Sequence, residues 1–169
     1  MNKSFKKEEE KQEKIFSAKY LISLLICAVI TFLISFYVIG TAVVCGSSMQ
    51  PTMNSGDLII VNKLTKHYER YDIVIISLPD EIIIKRIIAV PGDSIQIKDG
   101  ETYINDQLFD DVVSGKMSFA GIAHEKIVLG DNEYFVLGDN RENSKDSRYE
   151  EVGIITEDQI VGRAIFSLI

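Results

Sequence analysis

The stretch Gly46-Ser47-Ser48-Met49-Gln50-Pro51-Thr52-Met53 separates two parts of the chain that have different patterns. Before it, residues 20–45 contain no charged side chain. After it, short runs of β-branched residues alternate with polar turns, which is the pattern of β-strands. The stretch therefore divides an apolar helix from a β-rich body, and it places two serine hydroxyls at the junction.

The apolar run predicts a helix that crosses a membrane. Residues 20–45 make 26 positions without a charge, and a helix of that length rises about 39 Å, more than the ~30 Å hydrocarbon core of a bilayer. A cleavable leader has a shorter apolar core of about 7–15 residues, and a buried core helix would need a larger body to cover it. Lysines precede the run and the nearest charge after it is Asp57, which favours a cytoplasmic amino terminus.

This division predicts three segments: a charged cytoplasmic tail over residues 1–19, a transmembrane anchor helix over 20–45, and an extracytoplasmic β-rich domain over 46–169. The chain has a net charge of -7, and the residues after position 19 hold 12 basic and 21 acidic side chains. Such an acidic body argues against nucleic acid as a partner, because phosphate binding needs a basic face. Cys27 and Cys45 would lie roughly 27 Å apart on one helix, too far for a disulfide.

The body is predicted to be mainly β, a compact antiparallel sheet or barrel-like domain behind one amino-terminal transmembrane helix. Asp99-Gly100 between two alternating runs is a hairpin signal. Residues 105–126 lack a clear pattern and are expected to form a loop. Strands are predicted over residues 57–61, 72–77, 81–90, 95–98, 101–104, 127–129, 134–137 and 162–168.

Ser48 is a candidate nucleophile, and a serine hydroxyl needs a base within hydrogen-bond reach. The chain has two histidines, His67 and His124, both in polar segments without a carboxylate placed to orient them, so we interpret them as exposed loop residues. Lys85 lies in an isoleucine-rich run, with Ile83 and Ile87 on the same face of a strand. Burial there would lower its pKa and suit a general base. A charge that guards an edge strand against aggregation is an equal alternative.

The third polar segment is residues 138–148, Gly-Asp-Asn-Arg-Glu-Asn-Ser-Lys-Asp-Ser-Arg, which follows a predicted strand. It could be an ordinary polar loop or a calcium loop. The calcium interpretation fails by position, since Arg141 stands where a carboxylate or amide is expected and Ser144 where glycine is expected. No cluster of His, Cys and Asp has the spacing of metal ligands, so the sequence predicts neither a metal nor another cofactor.

These motifs, in this order and after an apolar anchor, resemble bacterial type I signal peptidases, in the short form typical of Gram-positive bacteria. They are Gly46 to Thr52, then Ile83-Ile84-Lys85-Arg86-Ile87-Ile88-Ala89-Val90-Pro91-Gly92-Asp93, then residues 138–148. The resemblance extends from the anchor to Gly162-Arg163-Ala164 and implies a Ser/Lys protease with residues 46–169 as its catalytic domain. By motif position, Ser48 matches the nucleophile and Lys85 the general base.

The resemblance also implies supporting roles. Ser144 matches a hydroxyl that hydrogen-bonds and orients the lysine. Asp146 and Arg148 match an ion pair that supports the site, and Arg86 matches the arginine that follows the lysine. Gly46 departs from the longer members, which place there a serine whose hydroxyl helps to hold the oxyanion. Losing one such donor costs about 3–4 kcal/mol in a related class of hydrolases, so a substitute is expected, and the sequence does not identify it.

The expected activity is removal of signal peptides from exported preproteins. Neutral Lys85 takes the proton of Ser48, which attacks the carbonyl after the last signal residue, and Lys85 then activates the water that hydrolyses the acyl-enzyme. The resemblance implies small side chains one and three residues before the cut, in a segment bound as an extended strand. Membrane lipid is the other expected partner, and Met49 and Met53 either rest against it or belong to the core.

Three other functions share part of this pattern. A self-cleaving repressor uses Ser/Lys chemistry but is soluble and carries a DNA-binding segment. A cysteine transpeptidase would use Cys45 and need a paired histidine and arginine. A membrane-anchored β-domain without activity would be expected to lack Ser48 or Lys85, and both are present.

Overall fold

The chain begins with one long helix. In the computed structural model, which describes residues 3–111, 113 and 116–168, helix α1 extends over Lys3–Val38. Its segment Ala18–Ser35 is long and apolar enough to cross a membrane, and every side chain of that segment is exposed. An exposed apolar surface is expected of a helix that faces lipid.

The helix is shorter at its carboxyl end than the sequence predicts. We expected it to extend to Cys45, but it ends at Val38, and Ile39–Val43 form strand β1. β-branched residues alternate along this segment, which suits a strand, and all five residues pair with Leu58–Asn62. The uncharged run therefore contains two elements, because absence of charge alone does not distinguish an apolar helix from an apolar strand.

Residues 39–169 form a separate compact unit. Its further strands are β2 Leu58–Asn62, β3 Ile73–Ser77, β4 Ile82–Ala89, β5 Ser94–Lys98, β6 Glu101–Ile104, β7 Gln107–Leu108, β8 Ile127–Val128, β9 Glu133–Leu137, β10 Ile155–Thr156 and β11 Ile160–Leu168. A seven-stranded sheet has the order β1-β2-β11-β3-β4-β9-β10, and a four-stranded sheet the order β7-β6-β5-β8. All pairings among the described strands are antiparallel. The prediction of a mainly antiparallel β body after one apolar helix is confirmed.

All eight predicted strands are present, with shifts of at most two residues at their ends. The Asp99-Gly100 turn joins β5 to β6 with φ angles of 52° and 79°, the left-handed values that a two-residue hairpin turn requires. Strands β7 and β10 were not predicted, and β7 lies inside the segment expected to be a loop. Each has only two residues, too few for an alternating pattern to be recognised.

Buried methionines fix the segment that follows Ser48. Met49 and Met53 are 1% and 4% exposed and pack with Ile59 and Ile75 in one of the three apolar clusters of this unit. They are therefore core residues rather than lipid contacts. Burial of a methionine contributes about 1.5–3 kcal/mol, so this cluster holds the chain on the carboxyl side of Ser48 in place.

Candidate active site

Ser48 lies in a turn that begins at Gly46 and ends in the apolar core. Gly46 has a φ of 85°, a conformation that favours glycine, and its N–H donates to Ser55 Oγ at 3.3 Å. Ser48 is half-buried, whereas the next side chain, Met49, is buried. The turn therefore keeps the hydroxyl of Ser48 accessible while its neighbour is anchored.

Lys85 reaches Ser48 from the middle of β4. Its Nζ donates to Ser48 Oγ at 2.9 Å and to Ile84 O at 3.0 Å. Ile83 and Ile87 are buried with it, as the alternation predicts, and Lys85 is only 3% exposed. The alternative of an exposed guarding charge does not describe this residue, because its side chain is buried. Sheet formation thus brings together two groups that are 37 residues apart.

Burial lowers the pKa of Lys85 below its ordinary value of 10.5, because the ammonium loses its hydration. The negative charges of Asp146, Glu81 and Asp139 act in the opposite direction and have smaller effects. The net result is an amine that loses its proton more readily than an exposed lysine. Such an amine can accept a proton from a hydroxyl at a lower pH.

Ser144 does not make the hydrogen bond to Lys85 that the resemblance implies. Its Oγ is buried and has no hydrogen-bond partner among the described residues. It lies against Gly138, where an added Cβ would come 2.1 Å from Ser144 Oγ and 2.6 Å from Ser48 O. Only glycine fits there, and in the sequence Gly138 signals no more than the end of a strand.

Two ion pairs support the segment 138–148. Arg148 binds Asp146 through contacts of 2.7 and 2.9 Å, with side chains that are 1% and 0% exposed. Asp146 also accepts the Gly138 N–H at 3.0 Å. Arg86 binds Asp139 through contacts of 2.8 and 2.5 Å. The sequence analysis assigned Asp139 no partner, because a motif position does not show which side chain it will meet.

Two asparagines that the sequence analysis did not single out hold the turn around Ser48. Asn140 donates its backbone N–H to Ser48 O at 2.9 Å and its Nδ2 to Ser47 O at 3.2 Å. Asn143 donates Nδ2 to Ser47 Oγ at 2.7 Å. We call these three hydrogen bonds the serine clamp. Asparagine is common in any polar turn, so the sequence carried no signal for this role.

A cleft of about 530 Å³ opens beside Ser48 and Lys85. The end of β1 and the residues after it form one wall, and the start of β4 forms another. Its lining is largely apolar, with Val43, Ile82 and Ile84 among the contributing side chains. A concave apolar site beside a few polar groups is typical of ligand binding.

The other candidates lie outside the Ser48–Lys85 contact. His67 and His124 are exposed. Cys27 and Cys45 are free thiols, and Cys45 makes no hydrogen bond to either histidine among the described residues. No group of three or more potential metal ligands occurs in the described part of the chain. Space is open at Gly46, since apart from its two chain neighbours no described residue has an atom within 4 Å of a Cβ built there.

Comparison with known proteins gives a consistent result. Residues 17–169 match a family model described as signal peptidase, peptidase S26. The chain is 33% identical over 172 residues to signal peptidase I S of Bacillus subtilis, covering 95% of this chain and 93% of the relative. It is 31% identical over 168 residues to signal peptidase IB of Staphylococcus aureus, covering 88% and 87%. A crystal structure of a signal peptidase I from Enterococcus faecalis matches at 27% identity with a TM-score of 0.47, covering 57% of this chain and 96% of that one.

Proposed function

The chain belongs to the signal peptidase family, peptidase S26, and we propose that it is a membrane-bound serine endopeptidase that removes signal peptides from exported preproteins. In this proposal Ser48 is the nucleophile and Lys85 the general base. The observation that carries it is the 2.9 Å contact between Ser48 Oγ and the buried Nζ of Lys85 at the edge of an apolar cleft.

The first half of the reaction forms an acyl-enzyme. Neutral Lys85 accepts the proton of the Ser48 hydroxyl while Oγ bonds to the carbonyl carbon of the last signal residue. The carbonyl oxygen becomes an oxyanion. The C–N bond then breaks, and the Lys85 ammonium returns its proton to the departing amine of the mature protein.

The second half releases the signal peptide. Neutral Lys85 takes a proton from a water molecule, whose oxygen attacks the ester carbonyl. The bond to Ser48 Oγ breaks, and Lys85 returns the proton to that oxygen. One base thus serves both halves, and burial of Lys85 lowers its pKa and so favours the neutral amine over the ammonium.

The Ser48 backbone N–H is the proposed oxyanion donor. It makes no hydrogen bond within the described part of the chain, so it remains available to the substrate. Gly46 has no hydroxyl to offer as a second donor. The serine clamp supports this arrangement, because it holds the carbonyl of the peptide group that contains the Ser48 nitrogen and the carbonyl of the next peptide group. A donor that is already oriented loses little energy to reorganisation when the oxyanion forms.

The substrate is proposed to bind in the cleft as an extended strand. β1 is the edge of its sheet, and β4 pairs with β9 only from Arg86 onward, so Ile82 to Lys85 also keep one edge unpaired among the described strands. An added strand would find main-chain partners there. Residues one and three before the cut would point the same way, which accords with the small side chains that the resemblance implies at both positions.

Helix α1 is proposed to anchor the enzyme with its amino terminus in the cytoplasm and the β unit outside. Six lysines and four glutamates precede the apolar segment, and no charge follows until Asp57, a distribution that favours this orientation. Confinement of enzyme and substrate to one membrane surface raises their effective concentration.

Mapping of the cleavage product tests this proposal. Full-length protein in detergent is incubated with a preprotein whose leader ends in Ala-x-Ala, and the products are identified by mass spectrometry. We expect one cut after the second alanine, and strongly reduced cutting when either alanine becomes isoleucine. Cutting at other positions, or indifference to both replacements, would contradict the proposed specificity.

A further inference from the structure

A short loop after β2 carries positive charge in an otherwise acidic unit. It comprises residues 63–67, Lys-Leu-Thr-Lys-His, and we call it the basic loop. Residues 39–169 hold 12 basic and 21 acidic side chains, yet no acidic residue lies between Asp57 and Glu69. Both loop lysines are exposed, and neither makes an ion pair in the described part of the chain. The loop therefore presents two cations that the protein itself does not neutralise.

The basic loop also presents an apolar side chain to solvent. Leu64 lies between the two lysines and is 62% exposed. An exposed leucine flanked by lysines combines apolar area with charge in the way that membrane-surface segments do. The long lysine stems can lie along an apolar surface while their ammonium groups remain among polar groups.

The chain itself keeps the basic loop close to the end of helix α1. Ile39 follows the last helical residue, Val38, and pairs with Asn62, which directly precedes the loop. The Lys63 side chain lies across Gly40, so that its Nζ is 3.4 Å from the position of a Cβ built there. Two residues span at most about 7.6 Å between Cα atoms. The Lys63 ammonium is therefore within roughly 12 Å of the Val38 Cα, whatever the orientation of the β unit.

That distance matches the reach of a charged membrane surface. The polar layer on each side of a ~30 Å hydrocarbon core is about 5–8 Å deep. The negative potential of anionic lipids extends a further Debye length, about 8–10 Å at ordinary ionic strength. A helix that crosses the bilayer and ends at Val38 thus leaves Lys63 within range of the headgroups, while the acidic remainder of the unit is repelled by them.

We propose that the basic loop docks onto anionic lipid headgroups, with Lys63 and Lys66 binding the phosphates and Leu64 entering the boundary with the acyl chains. This inference rests on one part of the proposed function, the membrane-crossing helix, and not on the chemistry of Ser48. Docking at the loop adds a second attachment point beside the anchor, and two points restrict rotation of the β unit about the junction at Ile39.

A single fluorophore tests the docking. The chain contains no tryptophan, so Leu64→Trp gives a signal that belongs to the loop alone. The full-length variant is reconstituted into vesicles of phosphatidylcholine and phosphatidylglycerol, with bromine on the acyl chains of one lipid or the other at equal mole fraction. We expect brominated phosphatidylglycerol to quench the fluorescence more strongly, and the preference to disappear when Lys63→Gln and Lys66→Gln are added.

Leu108→Trp is the matched control, because Leu108 is 60% exposed on β7 of the other sheet. Three results would overturn the proposal: quenching at residue 64 no greater than at residue 108, equal quenching by both lipids, or a preference that survives loss of both lysines. Preprotein cleavage in detergent, where no bilayer is present, is expected to match the parent chain and verifies folding. Because the quenching does not depend on cleavage, failure here leaves the proposed Ser48 chemistry untouched, and failure of that chemistry leaves the quenching result valid.

Discussion

At the scale of single residues, Lys85 is a buried amine that touches a half-buried hydroxyl. In the proposed mechanism this pairing governs how cleavage depends on pH. Only the neutral amine can accept the proton of Ser48. Burial lowers the Lys85 pKa, whereas Asp146 and Glu81 raise it. Glu81 is exposed, so its charge can be removed with little structural cost.

The rate of cleavage should rise with pH as Lys85 loses its proton, and this limb should lie below the ordinary lysine pKa of 10.5. Glu81→Gln should move the limb to lower pH, because a nearby negative charge favours the ammonium. The profile of kcat/KM against pH measures the shift. Glu151→Gln, another exposed position, should leave the limb in place, and disappearance of the limb in His124→Ala would instead assign the base to histidine.

The serine clamp should affect the rate of the chemical step more than substrate binding. Asn143→Ala removes the 2.7 Å hydrogen bond to Ser47, which is worth about 0.5–1.5 kcal/mol, so kcat should fall about twofold to tenfold with KM nearly unchanged. Ser47→Ala combined with Asn143→Ala should be no worse than Asn143→Ala alone, since both remove the same bond. Additive losses of kcat in the double variant, or a change in KM alone, would contradict a role of Asn143 in positioning Ser48. Asn132→Ala, at an exposed position, is the control.

Motif position suggested the candidate catalytic residues, but not the residues that hold the turn around Ser48 by packing and hydrogen bonding. Ser48 and Lys85 could be proposed because the motifs that contain them resemble those of a known family, whereas the local sequence around Lys85 left a guarding edge charge equally possible. The roles of Gly138 and Asn140 could not be proposed, because they depend on approach to Ser47 and Ser48 from about 90 residues away in the chain. Such contacts depend on strand register. Register is set by the pairing of strands across the sheet, so it cannot be read from one segment of sequence.

At the scale of elements, residues 138–148 are held by Arg148, whose buried guanidinium binds Asp146 and the carbonyl of Arg141. A buried ion pair adds little stability by itself, but removal of one partner leaves an uncompensated charge. Asp146 also receives the Gly138 N–H. The segment that carries the serine clamp therefore depends on this carboxylate.

Asp146→Asn should lower the free energy of unfolding by about 3–5 kcal/mol, because Arg148 would remain buried without its counter-charge. Urea denaturation of the detergent-solubilised protein measures the loss. Asp106→Asn removes an exposed ion pair with Lys126 and should change stability little. Equal losses in the free energy of unfolding for the two variants would contradict the prediction that the buried pair matters more to stability than the exposed one.

The sequence predicted eight of the eleven described strands and missed β1, β7 and β10. Alternation identified β2 to β6 and β9 because each offers at least four patterned residues. β1 was assigned to the anchor, since its apolar residues continue an apolar run and its strand character comes from pairing with β2. Tertiary pairing of this kind overrides a local pattern.

At the scale of the whole molecule, an apolar helix precedes an acidic β unit, and the orientation across the membrane should be measurable with the chain's own thiols. Cys27 lies within α1 and Cys45 follows β1, and both are free. The two cysteines thus report on α1 and on the β unit respectively.

In Cys27→Ser, a membrane-impermeant maleimide added to intact cells should label Cys45 without lysis, because the β unit is expected outside. In Cys45→Ser, the remaining Cys27 should stay unlabelled within the bilayer. Labelling of Cys45 that appears only after the membrane is permeabilised would reverse the orientation.

The most direct measurement is preprotein cleavage by full-length Ser48→Ala and Lys85→Met, each compared with a matched control. Ser77→Ala and Lys98→Met replace an exposed serine and an exposed lysine and should cleave at the parent rate. Loss of either member of a catalytic unit removes most of its effect, so Ser48→Ala and Lys85→Met should each lose about 10³-fold or more. Either variant cleaving at the parent rate, while folded and membrane-bound, would contradict the Ser48–Lys85 dyad.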